Sequence, residues 1–500
     1  MPPFSLLISI QFREQPSTAT LLLQKKGDLF FPTSPLSTMY HYLLPSLSLL
    51  SLLLSLPSIS LCTTHQDIKQ AQLLESISMD PLEREALFHV METMSSDRDW
   101  RSSNPDPCLP ASSWPGIECK HGSDNLLHVT RLDFGASPNP SCKKTATFPS
   151  HVFDLPYLQS LFFFNCFKTT KTKLSLPPPD HKAAAYASLQ QLSLRSNPSL
   201  VGVIPSRISS FKSLQVLTLS QNQLSGRIPQ SIGALTSLIH LDLSYNSLTD
   251  SIPSHIGSLG NLVGLDLSYN YLTGAIPSTI GQLGLLQKLD LSSNELNRSI
   301  PETLESLTCL TFLALSNNRL SGQFPIGLPK LQNLQYFIMD DNPMFVALPF
   351  QLGRLAKLQE LRLANSGYSG SIPGSFAWLT NLSTLSLENN RLTGQIPLGL
   401  SGLSKIYHLN LSRNLLGGVV PFNSGFLRRL GRNLDLSENP GLCLNGSETS
   451  ESIHVGVDVC GEGRGEVPLV GSGGAPYLHF GFCHPLLGFL VVWEWYYFLI

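Results

Sequence analysis

The segment LDLSYN stands at Leu241–Asn246 and again at Leu265–Asn270, and that spacing limits the chain more than any other feature. The pattern LxxLxLxxN carried along the sequence places its last residue at Asn222, Asn246, Asn270, Asn294, Asn318, Asn342, Ser366, Asn390 and Asn414, each 24 residues from the next. Asn197 and Asn439 extend the series at a spacing of 25, and Cys166 in LQSLFFFNCF begins it. A unit this short cannot enclose a core by itself, so the copies must stack and stability must belong to the array.

One copy, SLQVLTLSQNQLSGRIPQSIGALTSL, shows how a coil is built. Leu217 and Leu219 alternate with Thr218, so a short strand turns its leucines inward and its polar residues outward. Asn222 then turns the chain, since a carboxamide both donates to and accepts from backbone groups left unpaired in the coil. Ile228 and Pro229 cross the far side, where a residue without an N–H suits a segment with no ladder partner. Ile232, Leu235 and Leu238 bring the chain back. The expected fold is an α/β solenoid, a right-handed leucine-rich-repeat superhelix of about 11–12 repeats of 24 residues.

The ends of such an array need covers. DPLEREALFHVMETM has Asp80 as helix N-cap, Pro81 at the first position and Glu83 three residues after the cap, a capping-box arrangement. Its Leu87, Val90, Met91 and Met94 share one face. Trp100, Cys108, Trp114 and Cys119 follow, and a Cys108–Cys119 bridge would cover the first coil. Cys142 with Cys166, and Cys443 with Cys460 after NPGLC, are the other expected pairs. Cysteines gathered at the ends imply an oxidising compartment. The organisation expected is an N-terminal extension (1–38), a signal peptide from Met39 (39–63), a cap (80–127), the solenoid (128–439), a second cap (440–461), a linker (462–484) and an apolar tail (485–500). That tail, PLLGFLVVWEWYYFLI, is short for a bilayer span and carries Glu494, which favours a lipid-anchor signal over a membrane span.

With 33 Lys and Arg against 35 Asp and Glu, there is no basic surplus to neutralise nucleic-acid phosphates. Chemistry is equally hard to find. GEGRGEV at Gly461–Val467 loosely matches a phosphate loop, but no VAIK, HRD or DFG segment follows it. No Cys or His spacing suits a metal, so neither enzyme activity nor a cofactor is expected. The outward strand positions offer a binding face instead. Thr218, Asp242, Asp266 and Asp290, with Tyr245 and Tyr269 beside them, give way to a mixed patch of Tyr336, Ile338, Asp340, Asp341, Glu360, Arg362, Glu388, Asn389, His408 and Arg413. Mixed charge beside an aromatic suits a protein contact, although outward positions must also be polar for solubility. Sequons stand at Asn297, Asn381, Asn410 and Asn445.

The LxGxIPxxIGxLxxL form of the repeat, the W…DPC…W-GIEC cap and the NPGLC terminus resemble those of plant leucine-rich-repeat receptors. More narrowly, LEREALFHVM, FFFNCF, YFIMDDNPMFVALP and SRNLLGGVVPFNSGFLRRLG are similar to kinase-less receptor-like proteins of the Piriformospora indica-insensitive type, relatives of Too Many Mouths. The resemblance covers about Asp80 to Cys460. It implies a glycosylated, membrane-associated protein on the extracellular face of the plasma membrane. Such a protein binds an extracellular peptide or protein and signals through a partner receptor kinase in development or defence. A soluble wall-space inhibitor similar to polygalacturonase inhibitors is the alternative, and a pure scaffold a third reading. The insertion FKTTKTKLSLPPPDHKAAAYA after Cys166 and the Ser366 substitution depart from the family pattern.

Overall fold

The computed structural model describes residues 79–95, 98–109, 115–177, 185–448 and 455–461. All of them fall within one compact unit, Thr64–Ile500. The N-terminal extension, the signal segment, Trp114, the linker and the apolar tail lie outside the described residues.

Leucines at alternate positions, repeated at every coil, produce one 14-stranded sheet. Its strands in chain order are β1 (Ile117–His121), β2 (Leu127–Phe134), β3 (Ser160–Phe164), β4 (Gln191–Arg195), β5 (Val216–Thr218), β6 (His240–Asp242), β7 (Gly264–Asp266), β8 (Lys288–Asp290), β9 (Phe312–Ala314), β10 (Tyr336–Ile338), β11 (Glu360–Arg362), β12 (Thr384–Ser386), β13 (His408–Asn410) and β14 (Leu434–Asp435). β1 and β2 pair antiparallel; every later pair is parallel. The register is unbroken, with Leu217 beside Leu241, Leu265 and Leu289 in turn. Each of these central residues is buried, as is Phe337 in β10.

The ladder amides do the work expected of them. Asn246 donates from Nδ2 to the Leu219 carbonyl of the preceding coil at 2.8 Å and to the Leu243 carbonyl of its own at 3.1 Å. Its Oδ1 accepts the Leu224 N–H at 3.0 Å. At Ser366 the hydroxyl donates to Ala364 O at 2.8 Å and accepts from Asn342 N at 3.2 Å. The Met344 N–H then turns to backbone carbonyls, Asn342 O and Ser366 O, instead of a side-chain amide.

Two features of the far side differ from the sequence reading. The residues just before each Ile-Pro do find ladder partners, in three short parallel sheets such as Val201–Gly202, Gln223–Arg227 and Ser247–Thr249. Proline lies just beyond that ladder and introduces a 3₁₀ turn, Gln230–Ala234 after Pro229 for example. There the coils nearly touch: a Cβ at Gly257 would stand 2.4 Å from Thr279 O, which accounts for glycine after the buried isoleucine.

Helix α1 (Pro81–Met94) covers the first coil, with Asp80 accepting the Leu82 and Glu83 N–H groups. The capping-box expectation fails at Glu83. Its carboxylate accepts Val129 N–H at 2.8 Å and meets His128 Nδ1 at 2.6 Å, so it fastens the helix to β2 instead of folding back on Asp80. Disulfides join Cys108 to Cys119, Cys142 to Cys166 and Cys443 to Cys460, and Cys309 is free among the described cysteines. At the last coil the Leu436 N–H reaches Val455 O, so residues of the second cap cover part of the sheet edge.

Tyr368 takes a leucine position and is fully buried, with its ring 6.1 Å from that of Phe324. Its hydroxyl has no hydrogen-bond partner among the described residues. Tyr368→Phe should therefore leave stability unchanged or raise it by up to about 1 kcal/mol, because it removes an unsatisfied buried group. A fall in thermal midpoint for this variant would contradict that reading.

Candidate binding face

The parallel register arranges the outward residues in columns. One runs from Val216 through Lys288, Phe312, Tyr336 and Glu360 to His408; the next runs from Thr218 through Asp290, Ala314, Ile338 and Arg362 to Asp435. A column at the strand ends consists of the residue before each ladder position. There Gln221, Tyr245, Tyr269, Asp341, Asn389 and Arg413 all have φ between +51° and +58°. That conformation tolerates Asn and Asp well and Tyr poorly, so Tyr245 and Tyr269 sit there at a cost that the coil geometry imposes.

Three zones follow along this face. In the first, Asp242, Asp266 and Asp290 lie in register on neighbouring strands, and Lys288 Nζ reaches Asp266 Oδ2 at 2.8 Å. Burial pushes the carboxyls of Asp242 and Asp290 up, with the Asp266 charge adding to it, and Asp290 is raised to about 6. Burial also lowers the imidazole of His240. Tyr245 and Tyr269 stack with centroids 4.1 Å apart at the edge, both about half exposed.

The second zone is apolar: Phe312 lies beside Tyr336, with centroids 6.0 Å apart, and Ala314 beside Ile338. The Lys288 ammonium lies 5.7 Å from the Phe312 ring, at the border with the acidic zone.

In the third zone the sequence-derived patch does come together, on β10 to β13 and the turns that follow them. Tyr336 pairs with Glu360 and Ile338 with Arg362 in register. Tyr336 and Ile338 are half-buried, Arg362 is exposed, and Asp341, Asn389 and Arg413 are exposed at the edge. Asp340 does not face outward as the sequence pattern has it, for it is only 4% exposed. Its position in the coil is one where Ser220, Ser244, Ser268 and Ser316 are buried, so its carboxylate turns inward. There it accepts Ala364 N–H at 2.7 Å and Arg362 Nε–H at 2.8 Å. Burial raises the Asp340 carboxyl and Arg362 opposes the rise. Asp340 is a support for the face, not a contact point on it. Glu388 accepts the Asn410 amide, and Arg413 pairs with Glu438 at 3.0 Å. His408 is lowered by burial, an effect that Glu388 partly offsets. Lys288 and Phe312, absent from the sequence-derived patch, complete the surface between the acidic zone and β10, and Ala314 beside them is buried.

Among the sequons, Asn445 is exposed, whereas Asn297, Asn381 and Asn410 are half-buried. The Asn410 carboxamide is engaged on both sides, with Glu388 and with the Ser412 N–H at 3.0 Å. Among the described residues no group of His, Cys, Asp and Glu could hold a metal ion, and no helix is long and apolar enough to cross a membrane.

Stacked parallel coils, a side-chain amide in nearly every turn and disulfides at both ends define a leucine-rich-repeat protein. Family models described as leucine-rich repeat match residues 187–248, 260–320 and 381–403. Over part of its length the chain is similar to plant leucine-rich-repeat receptor-like proteins. It is 64% identical to Receptor like protein 29 of Arabidopsis thaliana over 148 residues, 30% of this chain and 31% of that protein. Over 187 residues it is 34% identical to Piriformospora indica-insensitive protein 2 of the same plant, covering 36% of this chain and 41% of that one. These matches therefore span well under half of either relative. The ectodomain of the Arabidopsis receptor kinase HAESA, solved in complex with an extended IDA peptide hormone, superposes with a TM-score of 0.60 at 30% identity, covering 72% of this chain and 57% of that one.

Proposed function

We propose that the chain is the recognition part of a receptor-like protein and binds an extracellular peptide or protein along its outward sheet face. The observation that carries this reading is the in-register apolar zone of Phe312, Tyr336 and Ile338, half-buried on the sheet face between two charged zones. An apolar centre with a polar rim is the usual composition of a protein contact surface. HAESA, a similar solenoid, is a receptor that takes a peptide ligand, which supports an extended ligand here. Signalling would pass to a partner receptor kinase. The protein would sit at the outer face of the plasma membrane, held by a lipid anchor or a single span.

The test uses the tagged full chain on plant cells treated with a peptide fraction from wall-space fluid. Parent protein should co-purify with a receptor kinase only when the peptides are present, and Ile338→Lys should reduce that capture at least tenfold while leaving the amount at the surface unchanged. Equal capture by the variant would reject the face; release of the protein by a salt wash would favour the soluble inhibitor reading.

A further inference from the structure

At the N-terminal cap the His128 ring lies between two carboxylates. Nδ1 is 2.6 Å from Glu83 Oε2 on α1, and Nε2 is 3.0 Å from Asp124 Oδ1 in the β1–β2 turn. The side chains of His128 and Glu83 are 4% and 1% exposed, and that of Asp124 is 44% exposed. The other face of the pocket is Tyr157, whose ring centroid is 3.8 Å from that of the imidazole. Lys120, the cross-strand partner of His128 on β1, is exposed.

A carboxylate oxygen only accepts, so each of the two short contacts needs a hydrogen on the ring nitrogen. Imidazolium supplies both; neutral imidazole supplies one and turns a lone pair toward the other carboxylate. Glu83 cannot swing away, because its second oxygen holds the Val129 N–H inside the cap. Asp124 can, because it reaches water.

We propose that Glu83, His128 and Asp124 form a proton-operated latch that fastens the β1–β2 turn of the cap when His128 is charged and lets it loosen when the ring becomes neutral. The surroundings bias the ring toward the charged form: burial opposes it, but Asp124 and Glu83 together outweigh burial and raise His128 above its ordinary value. Burial raises the Glu83 carboxyl as well. A histidine raised on folding stabilises fully below its unfolded value, near 6.5, and that stability is lost as pH rises through the higher folded value. The latch is thus closed in mildly acidic surroundings and opens with alkalinisation.

The experiment measures deuterium exchange at the His128 C2 position and at backbone amides, by mass spectrometry on the full chain. The titration midpoint of His128 should lie above about 6.5. After correction for intrinsic exchange, amide protection at residues 117–134 should fall about tenfold between roughly pH 6 and 8.5, the range through which a raised histidine loses its proton, while residues 191–234 keep theirs. Asp124→Asn can offer either an amide N–H or a carbonyl to Nε2, so the pH dependence should vanish and the midpoint should move back toward the ordinary value. A midpoint at or below that value, or the same loss of protection in Asp124→Asn, would overturn the latch. If the variant does not fold, the midpoint measured on the parent decides alone.

Discussion

Asn270→Ala is expected to destabilise the protein by about 3 kcal/mol, far more than removal of an exposed amide such as Asn445. The Asn270 carboxamide accepts Leu248 N–H at 3.0 Å and donates to Leu243 O at 3.0 Å and Leu267 O at 3.1 Å, all of them buried. Alanine leaves those groups facing apolar neighbours where no water reaches, and each unsatisfied group costs about 1–3 kcal/mol. Each coil is held only by its neighbours, so the damage should spread to adjacent turns before it reaches the caps. Chemical denaturation of the parent, Asn270→Ala and Asn445→Ala checks this. Equal midpoints for all three would mean that the amide ladder is not what holds the coils.

The second large effect is expected at Arg362. Its guanidinium neutralises a carboxylate that is almost fully enclosed, so Arg362→Ala strands the Asp340 charge and should cost roughly 2 kcal/mol near pH 7. That is below the 3–5 kcal/mol typical of a fully buried pair because Arg362 is itself half exposed. Without Arg362, which opposes the rise, the Asp340 carboxyl moves higher still. Its penalty is present when it is ionised, above that raised value, and disappears as pH falls and the group takes up a proton. The variant should thus approach the parent in stability near pH 4. Asp340→Ser, which restores the residue found at the equivalent place in other coils, should rescue Arg362→Ala at neutral pH. Thermal midpoints of the two single variants and the double variant, each measured at two pH values, decide the matter. A penalty that is independent of pH, or no rescue, would show that Arg362 is held for another reason.

The solenoid was legible because its period is written in residues that have one possible use each. Leucines at Leu241 and Leu243 can only point inward from a strand, and Asn246 satisfies backbone groups that nothing else in the coil can reach. The face was legible only in part. Which residues sit outward follows from alternation, and Tyr336, Ile338, Glu360 and Arg362 are indeed neighbours. What alternation misses is that the next position can turn under the sheet edge, as Asp340 does. A signal existed: Arg362 follows Asp340 by 22 residues, as Lys288 follows Asp266, and both pairs bond across adjacent coils. A separation two short of the period marks a diagonal contact between neighbouring turns. Phe312 carries no charge and stands out from its coil only as an apolar residue at an outward position, between Lys288 and Tyr336 in register. The Glu83–His128 contact had no such signal, since the cap lies outside the repeat and 45 residues separate the pair.

Recognition along the strand ribbon is tested most directly by where a partner touches the solenoid. A photo-crosslinking amino acid placed at Tyr336, in the apolar zone, and separately at Ile326, exposed on the 3₁₀ side, would show it directly in the full chain on living cells. The expected result is a covalent adduct with an extracellular peptide or protein from position 336 and none from position 326. Adducts from 326 alone would contradict it, because they would put recognition on the opposite side of the coils and leave the strand ribbon as support.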